Sequence, residues 1–221
     1  NIFPYEIGAD AAKMARNSLN GERIDSGKMP VIFHPFAFSD LIENTFADAI
    51  DSDNVQKNRS PLLGKIGEGI ANADLSLIDD ATIQGKIGSV AFDDEGTPSQ
   101  KTDVLKDGVL KSYLYDCTTA SRGNTKSTGN GFKSSYGSVT GVDLSNLVVV
   151  FPQSDIIAET KSGLYVNSLI GAHTANSITG DFSVEARNAF KIKNGEISKP
   201  IKSAMISGNI FEILKNISGA G

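Results

Sequence analysis

Two histidines and one cysteine are the whole supply of imidazole and thiol in this chain of 221 residues. No pair among His34, Cys117 and His173 has metal-ligand spacing, so satisfied polar groups near the core or surface are the expected role of each. Asp93-Asp94-Glu95-Gly96 sets carboxylates side by side before a turn. They can bind a cation, or they can hold a loop by accepting backbone N–H bonds. The second role is favoured, because adjacent carboxylates at a strand end point to opposite faces. Ser127, Thr128 and Cys117 are the candidates for a hydrolytic nucleophile, but no sequence feature sets a base beside any of them.

The segment Ser127-Thr128-Gly129-Asn130-Gly131 is rich in glycine, lacks the lysine of a nucleotide-binding loop and follows no βαβ pattern. What it offers is bare backbone, able to pair with an extended peptide by strand addition. Gly171-Ala172-His173-Thr174-Ala175-Asn176 has the same character, with His, Thr and Asn as side-chain donors. Ser127, Thr128, Gly129, Asn130, His173, Thr174 and Asn176 are therefore the predicted peptide-binding residues. No catalytic residue and no metal ligand is assigned.

These residues must be positioned by the elements around them. Apolar residues at Ile7, Ala11, Met14, Ala15 and Leu19 predict a helix over Glu6 to Asn20, with Gly21 as its left-handed cap. Met29 to Phe33 reads as a strand. Pro35 opens a second helix whose buried stripe is Phe38, Leu41, Ile42, Thr45, Phe46 and Ala49. Asp51 to Ser60 reads as a mobile polar loop.

After Pro61 short apolar stretches, at Leu75 to Ile78 and Val90 to Phe92, alternate with Gly and Asp, the punctuation of sheet. Asp107-Gly108, between Val104-Leu105 and Val109-Leu110, predicts a β-hairpin with a type I′ turn. Cys117 to Gly141 reads as a long polar loop, functional or disordered. Asn146 to Phe151 reads as a buried strand and Ser154 as the cap of a helix through Lys161. Leu164 to Ile170, Phe182 to Phe190 and Lys191 to Ile197 read as strands, the last turning at Asn194-Gly195, and Ile206 to Ile217 as a closing helix. The fold expected is α+β and β-rich, with a mostly antiparallel, curved or barrel-like sheet and a few flanking helices. Ser89 to Ser198 should form one sheet system, with both glycine-rich loops on one cleft. Gly129→Val should then cost peptide cleavage far more than folding, and Lys111→Gln should cost little.

A formal charge of −5 and a pI near 5.1 argue against a nucleic-acid surface, which needs a clustered positive field. No apolar run approaches the length that spans a bilayer, and no signal pattern opens the chain. A cytoplasmic protein without membrane contact is expected, its lone Cys117 suiting a reducing compartment. The start at Asn1 suggests the surviving part of something longer.

In order along the chain, Phe92-Asp93-Asp94-Glu95-Gly96 with Lys101-Thr102, Gly108-Val109-Leu110-Lys111-Ser112-Tyr113-Leu114-Tyr115-Asp116, Ser127-Thr128-Gly129-Asn130, and His173-Thr174-Ala175-Asn176 with Thr179-Gly180-Asp181-Phe182-Ser183 resemble the C-terminal half of the TldD/PmbA family. The PmbA (TldE) branch is the better match. The resemblance covers essentially the whole chain, 1–221, as one C-terminal domain. It implies that the family's N-terminal α/β domain is absent upstream, leaving Ile2 to Tyr5 as an arm without a core of its own.

The TldD branch resembles a zinc peptidase with a His-Glu-x-x-x-His helix and a downstream cysteine ligand. In the matching place this chain reads Leu41-Ile42-Glu43-Asn44-Thr45-Phe46-Ala47-Asp48, with no histidine. Glu43 and Asp48 fall where ligands would sit, and carboxylates alone bind zinc poorly. The resemblance thus implies a non-catalytic, peptide-binding and scaffolding subunit. Its partner is a TldD-like peptidase subunit that carries the zinc; this chain carries no cofactor, and a homodimer is the assembly expected in isolation. A stand-alone metal-free hydrolase and a pure interaction protein of the gyrase-modulator kind are the alternatives.

Overall fold

A computed structural model describes residues 3–221; Ile2 of the expected arm lies outside them. The helical spacing yields α1, Pro4–Asn17, none of whose residues is buried. Asn20, with φ 58°, takes the left-handed position expected of Gly21. β1 is Val31–Phe33. His34 then caps α2, Pro35–Glu43, its Nδ1 accepting the Phe36 N–H at 3.2 Å.

The buried stripe is as expected, but the helix is not continuous: α3, Phe46–Ile50, starts afresh after Thr45. The Asn44 amide donates to the Asp40 carbonyl at 2.8 Å and the Thr45 hydroxyl to the Leu41 carbonyl at 2.5 Å. The Asp40 carbonyl keeps its Asn44 backbone bond, but the Thr45 N–H turns to the Ile42 carbonyl and leaves that of Leu41 to the hydroxyl, which breaks the ladder. Asp51 to Ser60 is not a mobile loop. It holds α4, Ser52–Gln56, capped by the Asp51 carboxylate accepting from the Asp53 N–H at 2.7 Å and anchored by buried Val55.

β2 is Ser76–Asp80, β3 Lys101–Lys106 and β4 Val109–Leu110. The hairpin turns at Asp107 and Gly108 with φ 52° and 73°, the positive angles a type I′ turn needs. Val90 to Phe92 forms no strand, Phe92 making only an isolated bridge to Pro98. The long polar stretch contains α5, Cys117–Arg122, with an Asp116–Thr119 capping box, and β5, Gly131–Phe132, paired with β6, Gly141–Val142. β7, Leu147–Val150, is a strand but not a buried one, because it ends its sheet. Asp155, not Ser154, caps the short α6, Ile156–Glu159.

β8 spans Ser162–Ile170, and β9 runs unbroken over Asp181–Lys193 into the Asn194-Gly195 turn and β10, Glu196–Pro200. The first part of the expected closing helix is strand β11, Ala204–Asn209; only α7, Ile210–Asn216, is helical, capped by Asn209.

One sheet runs β1-β8-β9-β10, with β11 also on β9, and only β1–β8 is parallel. A second runs β4-β3-β2-β7, entirely antiparallel. The fold is α+β and mostly antiparallel, as expected, but Ser89 to Ser198 is shared among three sheets rather than forming one. β9 is long enough to pair β8 on one side and both β10 and β11 on the other, whereas β7 returns to β2. A single hydrophobic cluster joins both large sheets, with Leu77 and Leu105 from one, Val166 and Val184 from the other, and Leu41, Phe46, Ile210 and Leu214 from helices. Each fully buried side chain of this size contributes about 1.5–3 kcal/mol.

Candidate functional site

Ser127 to Asn130 lies against Tyr115, between β4 and α5. The Tyr115 N–H donates to Thr128 Oγ1 at 2.7 Å, the Tyr115 carbonyl accepts from the Thr128 N–H at 3.0 Å, and Ser127 Oγ donates to it at 3.1 Å. Gly129 is buried with φ 74°, and a Cβ there would stand 3.0 Å from the Pro98 carbonyl oxygen. The glycine therefore serves the fold directly, and valine there would strain the backbone before any ligand arrived. Gly129→Val therefore carries a cost in folding of its own, beside any cost in peptide cleavage.

Asn130, 1% exposed, donates to Asp79 Oδ2 at 2.8 Å and to the Asp143 carbonyl at 2.9 Å, and accepts from Thr128 Oγ1 at 2.7 Å. Its polar atoms are spent inside the molecule. Asp79, also buried, accepts the Ser145 N–H and hydroxyl, each at 2.8 Å. Asp79 was missed from the sequence although a signal exists: in β2 it is two residues from buried Leu77, which puts a carboxylate on the core face.

The three carboxylates after Phe92 take the loop-holding role. Asp93 accepts from the backbone N–H groups of Glu95, Thr97 and Gly131, Asp94 from that of Lys133, and Glu95 from that of Cys117 and from Thr140 Oγ1. All three thus reach into the segment from Cys117 to Thr140 and fix its course. Each bond to an ionised acceptor is worth about 1.5–3 kcal/mol.

Beside this network the α3–α4 corner and β6 enclose a cavity of about 40 Å³, lined by Ala47, Asp48, Asp51, Leu114, Val142, Asp143 and Leu144. Burial pushes the Asp51 carboxyl up to about 6, with Asp53 and Asp48 adding repulsion against the Asp53 and Asn54 hydrogen bonds. Leu41 to Asp48, where the resemblance implies the zinc-binding helix, borders this cavity at Ala47 and Asp48. Glu43 and Asp48 are exposed, the buried Thr45 hydroxyl is engaged by Leu41, and no imidazole stands on α2 or α3. Among the described residues no three His, Cys, Asp or Glu side chains converge to hold a metal ion. The donor set does not fit zinc.

His173 and Thr174 lie on a 3₁₀ turn, Ala172–Thr174, after β8. Thr174 Oγ1 donates to the Gly171 carbonyl at 2.7 Å, and Asn176 Oδ1 accepts from the Ile178 and Thr179 N–H groups. The His173 side chain is exposed. This turn belongs to the β8–β9 sheet and Ser127 to Asn130 to the region of the other; no hydrogen bond among the described residues joins them, and none of the seven residues lines the small cavity. Cys117 Sγ lies 3.5 Å from Thr97 Oγ1, and among the described residues neither histidine is bonded to Ser127, Thr128 or Cys117.

The family model described as the PmbA/TldA metallopeptidase C-terminal domain matches residues 26–221. An uncharacterized protein of Methanocaldococcus jannaschii is 43% identical over 97% of this chain and 51% of its own length. A metalloprotease TldD homolog of Haemophilus influenzae is 31% identical over 95% of this chain and 44% of its own. The crystal structure of TldE from Thermococcus kodakarensis superimposes with a TM-score of 0.89 at 31% identity, over 97% of this chain and 49% of that one. That of a proposed DNA gyrase modulator of Thermotoga maritima gives 0.92 at 36% identity, over 100% and 51%. The chain thus spans about half the length of the curated relatives it matches.

Proposed function

Because the chain belongs to the PmbA/TldD family and matches its metallopeptidase C-terminal domain, we propose that it is the non-catalytic, peptide-binding and scaffolding part of a peptide-degrading complex whose zinc is held by a TldD-type partner. One observation carries this reading: the helix that would bear the ligands is broken at Asn44–Thr45 and, over Leu41 to Asp48, presents the carboxylates of Glu43 and Asp48 and no imidazole. Asp79, Asp93, Glu95 and Asn130 are engaged by backbone N–H groups and other side chains, which is the work of a scaffold.

Peptide recognition in this reading uses main-chain pairing. The outer edge of β7 has a partner on one side only, β2, and its Leu147-Val148-Val149-Val150 sequence favours extended structure. Pairing along such an edge ignores side-chain identity and suits a broad range of peptides. His173, Thr174 and Asn176 add exposed donors and acceptors on the other sheet. The test is elemental analysis of the purified chain after mild chelation, beside the partner treated alike. Zinc is expected in the partner only; about one zinc per copy of this chain would overturn the reading.

A further inference from the structure

At the corner between β10 and β11 the chain brings its N-terminal connection against the end of β10. The Glu22 N–H donates to the Pro200 carbonyl at 2.9 Å and the Lys202 N–H to the Glu22 carbonyl at 3.0 Å, a parallel bridge between Glu22 and Ile201. Only glycine fits at position 21, where a Cβ would lie 2.6 Å from the Lys202 backbone nitrogen. The register is therefore fixed by backbone contact.

Side chains alternate in such a pair. Glu22 points where Lys199 meets it, and that ammonium holds the Glu22 carboxyl below its usual range. Arg23 and Lys202, one residue further on each strand, lie side by side in an open groove of about 330 Å³, with Ile24 and Ser203 completing its lining. Neither cation has a carboxylate within ion-pair distance among the described residues; the nearby Glu185 is paired with Arg187 and accepts from Ser203 Oγ at 3.5 Å. Two cations thus line one groove, in a chain of net charge −5, on neighbouring backbones whose register is fixed.

We infer that Arg23 and Lys202 form a carboxylate-binding groove for an extended peptide. The guanidinium takes a carboxylate in bidentate fashion, the ammonium adds a second charge and Ile24 meets the attached carbon chain. This rests on the peptide-binding reading above and adds a preference to it. The carboxylate comes from either the peptide's C-terminus or an acidic side chain.

The test is fluorescence anisotropy of short labelled peptides on the isolated chain, in four versions: Glu or Gln near the end, each with a free or an amidated C-terminus. The Gln amide should bind about tenfold more weakly than the Glu acid, as expected for one lost charge-assisted contact. The single change that reproduces the loss identifies the source. Arg23→Gln with Lys202→Gln should abolish the preference without moving the melting temperature, and added salt should weaken it. Equal affinity for all four peptides, a preference that survives in the double variant, or tighter binding of a single-stranded oligonucleotide would overturn the groove. Partner-dependent turnover of the Gln amide, measured in parallel, reports on the scaffolding reading separately.

Discussion

Replacing Asn130 by alanine isolates what the glycine-rich segment contributes. Asn130 donates to Asp79 Oδ2 and to the Asp143 carbonyl, and both it and Asp79 are buried. A bond to an ionised acceptor is worth about 1.5–3 kcal/mol and a neutral one about 1 kcal/mol. Asp79 keeps its two Ser145 contacts, and the Thr128 hydroxyl can turn to the Tyr115 carbonyl at 3.1 Å, so those groups are not orphaned. The loss is then about 3 kcal/mol, or roughly 6–12 °C in melting temperature for a chain of this size. Asn130→Asp should be worse at neutral pH, because it sets a second carboxylate against Asp79, and should recover in part on acidification. Urea unfolding of the three proteins gives both numbers. If Asn130→Ala loses less than about 0.5 kcal/mol but also loses peptide affinity, the side chain serves the ligand and not the fold, and the network argument fails.

Other outcomes follow from the same geometry. In Asp51 the folded state holds its proton more tightly than the unfolded chain, so ionisation costs stability above about pH 6, and that cost is relieved as pH falls from about 6 towards 3.8. Asp51→Asn keeps a capping oxygen and should flatten this profile, gaining about 1–2 kcal/mol at pH 8 after allowance for partial exposure; denaturant melts at both pH values check it. Gly129→Val should cost about 2 kcal/mol or more through its positive φ, read as a fall in denaturation midpoint. His173→Ala, at an exposed position, should leave stability within about 0.5 kcal/mol while lowering peptide turnover with the partner about fivefold. Unchanged turnover would remove His173 from the site.

The features legible in the sequence are those whose causes are local. Asp107-Gly108 and Asn194-Gly195 announce their turns because two positive φ angles select those residues, and both hairpins form there. The break at Asn44–Thr45 was hidden, since apolar spacing continues through it while the Thr45 N–H turns to Ile42 and its hydroxyl takes the Leu41 carbonyl. α4 was hidden by its polarity, because Asp51 capping and burial of Val55 decide it. Within the site, the loop-holding role of Asp93, Asp94 and Glu95 was legible from their adjacency. Their partners, at Gly131, Lys133 and Cys117, were not, because long-range pairing sets them. The same holds for the last strand of the second sheet, where β7 returns across the chain to β2.

Peptide hydrolysis by the purified chain alone, by a TldD-type subunit alone and by the two together tests the central claim most directly. The account predicts no cleavage by this chain alone, cleavage by the pair, and loss of that cleavage when the partner's zinc is chelated. Metal-dependent cleavage by this chain alone, reduced by Asp48→Asn or Glu43→Gln, would contradict it.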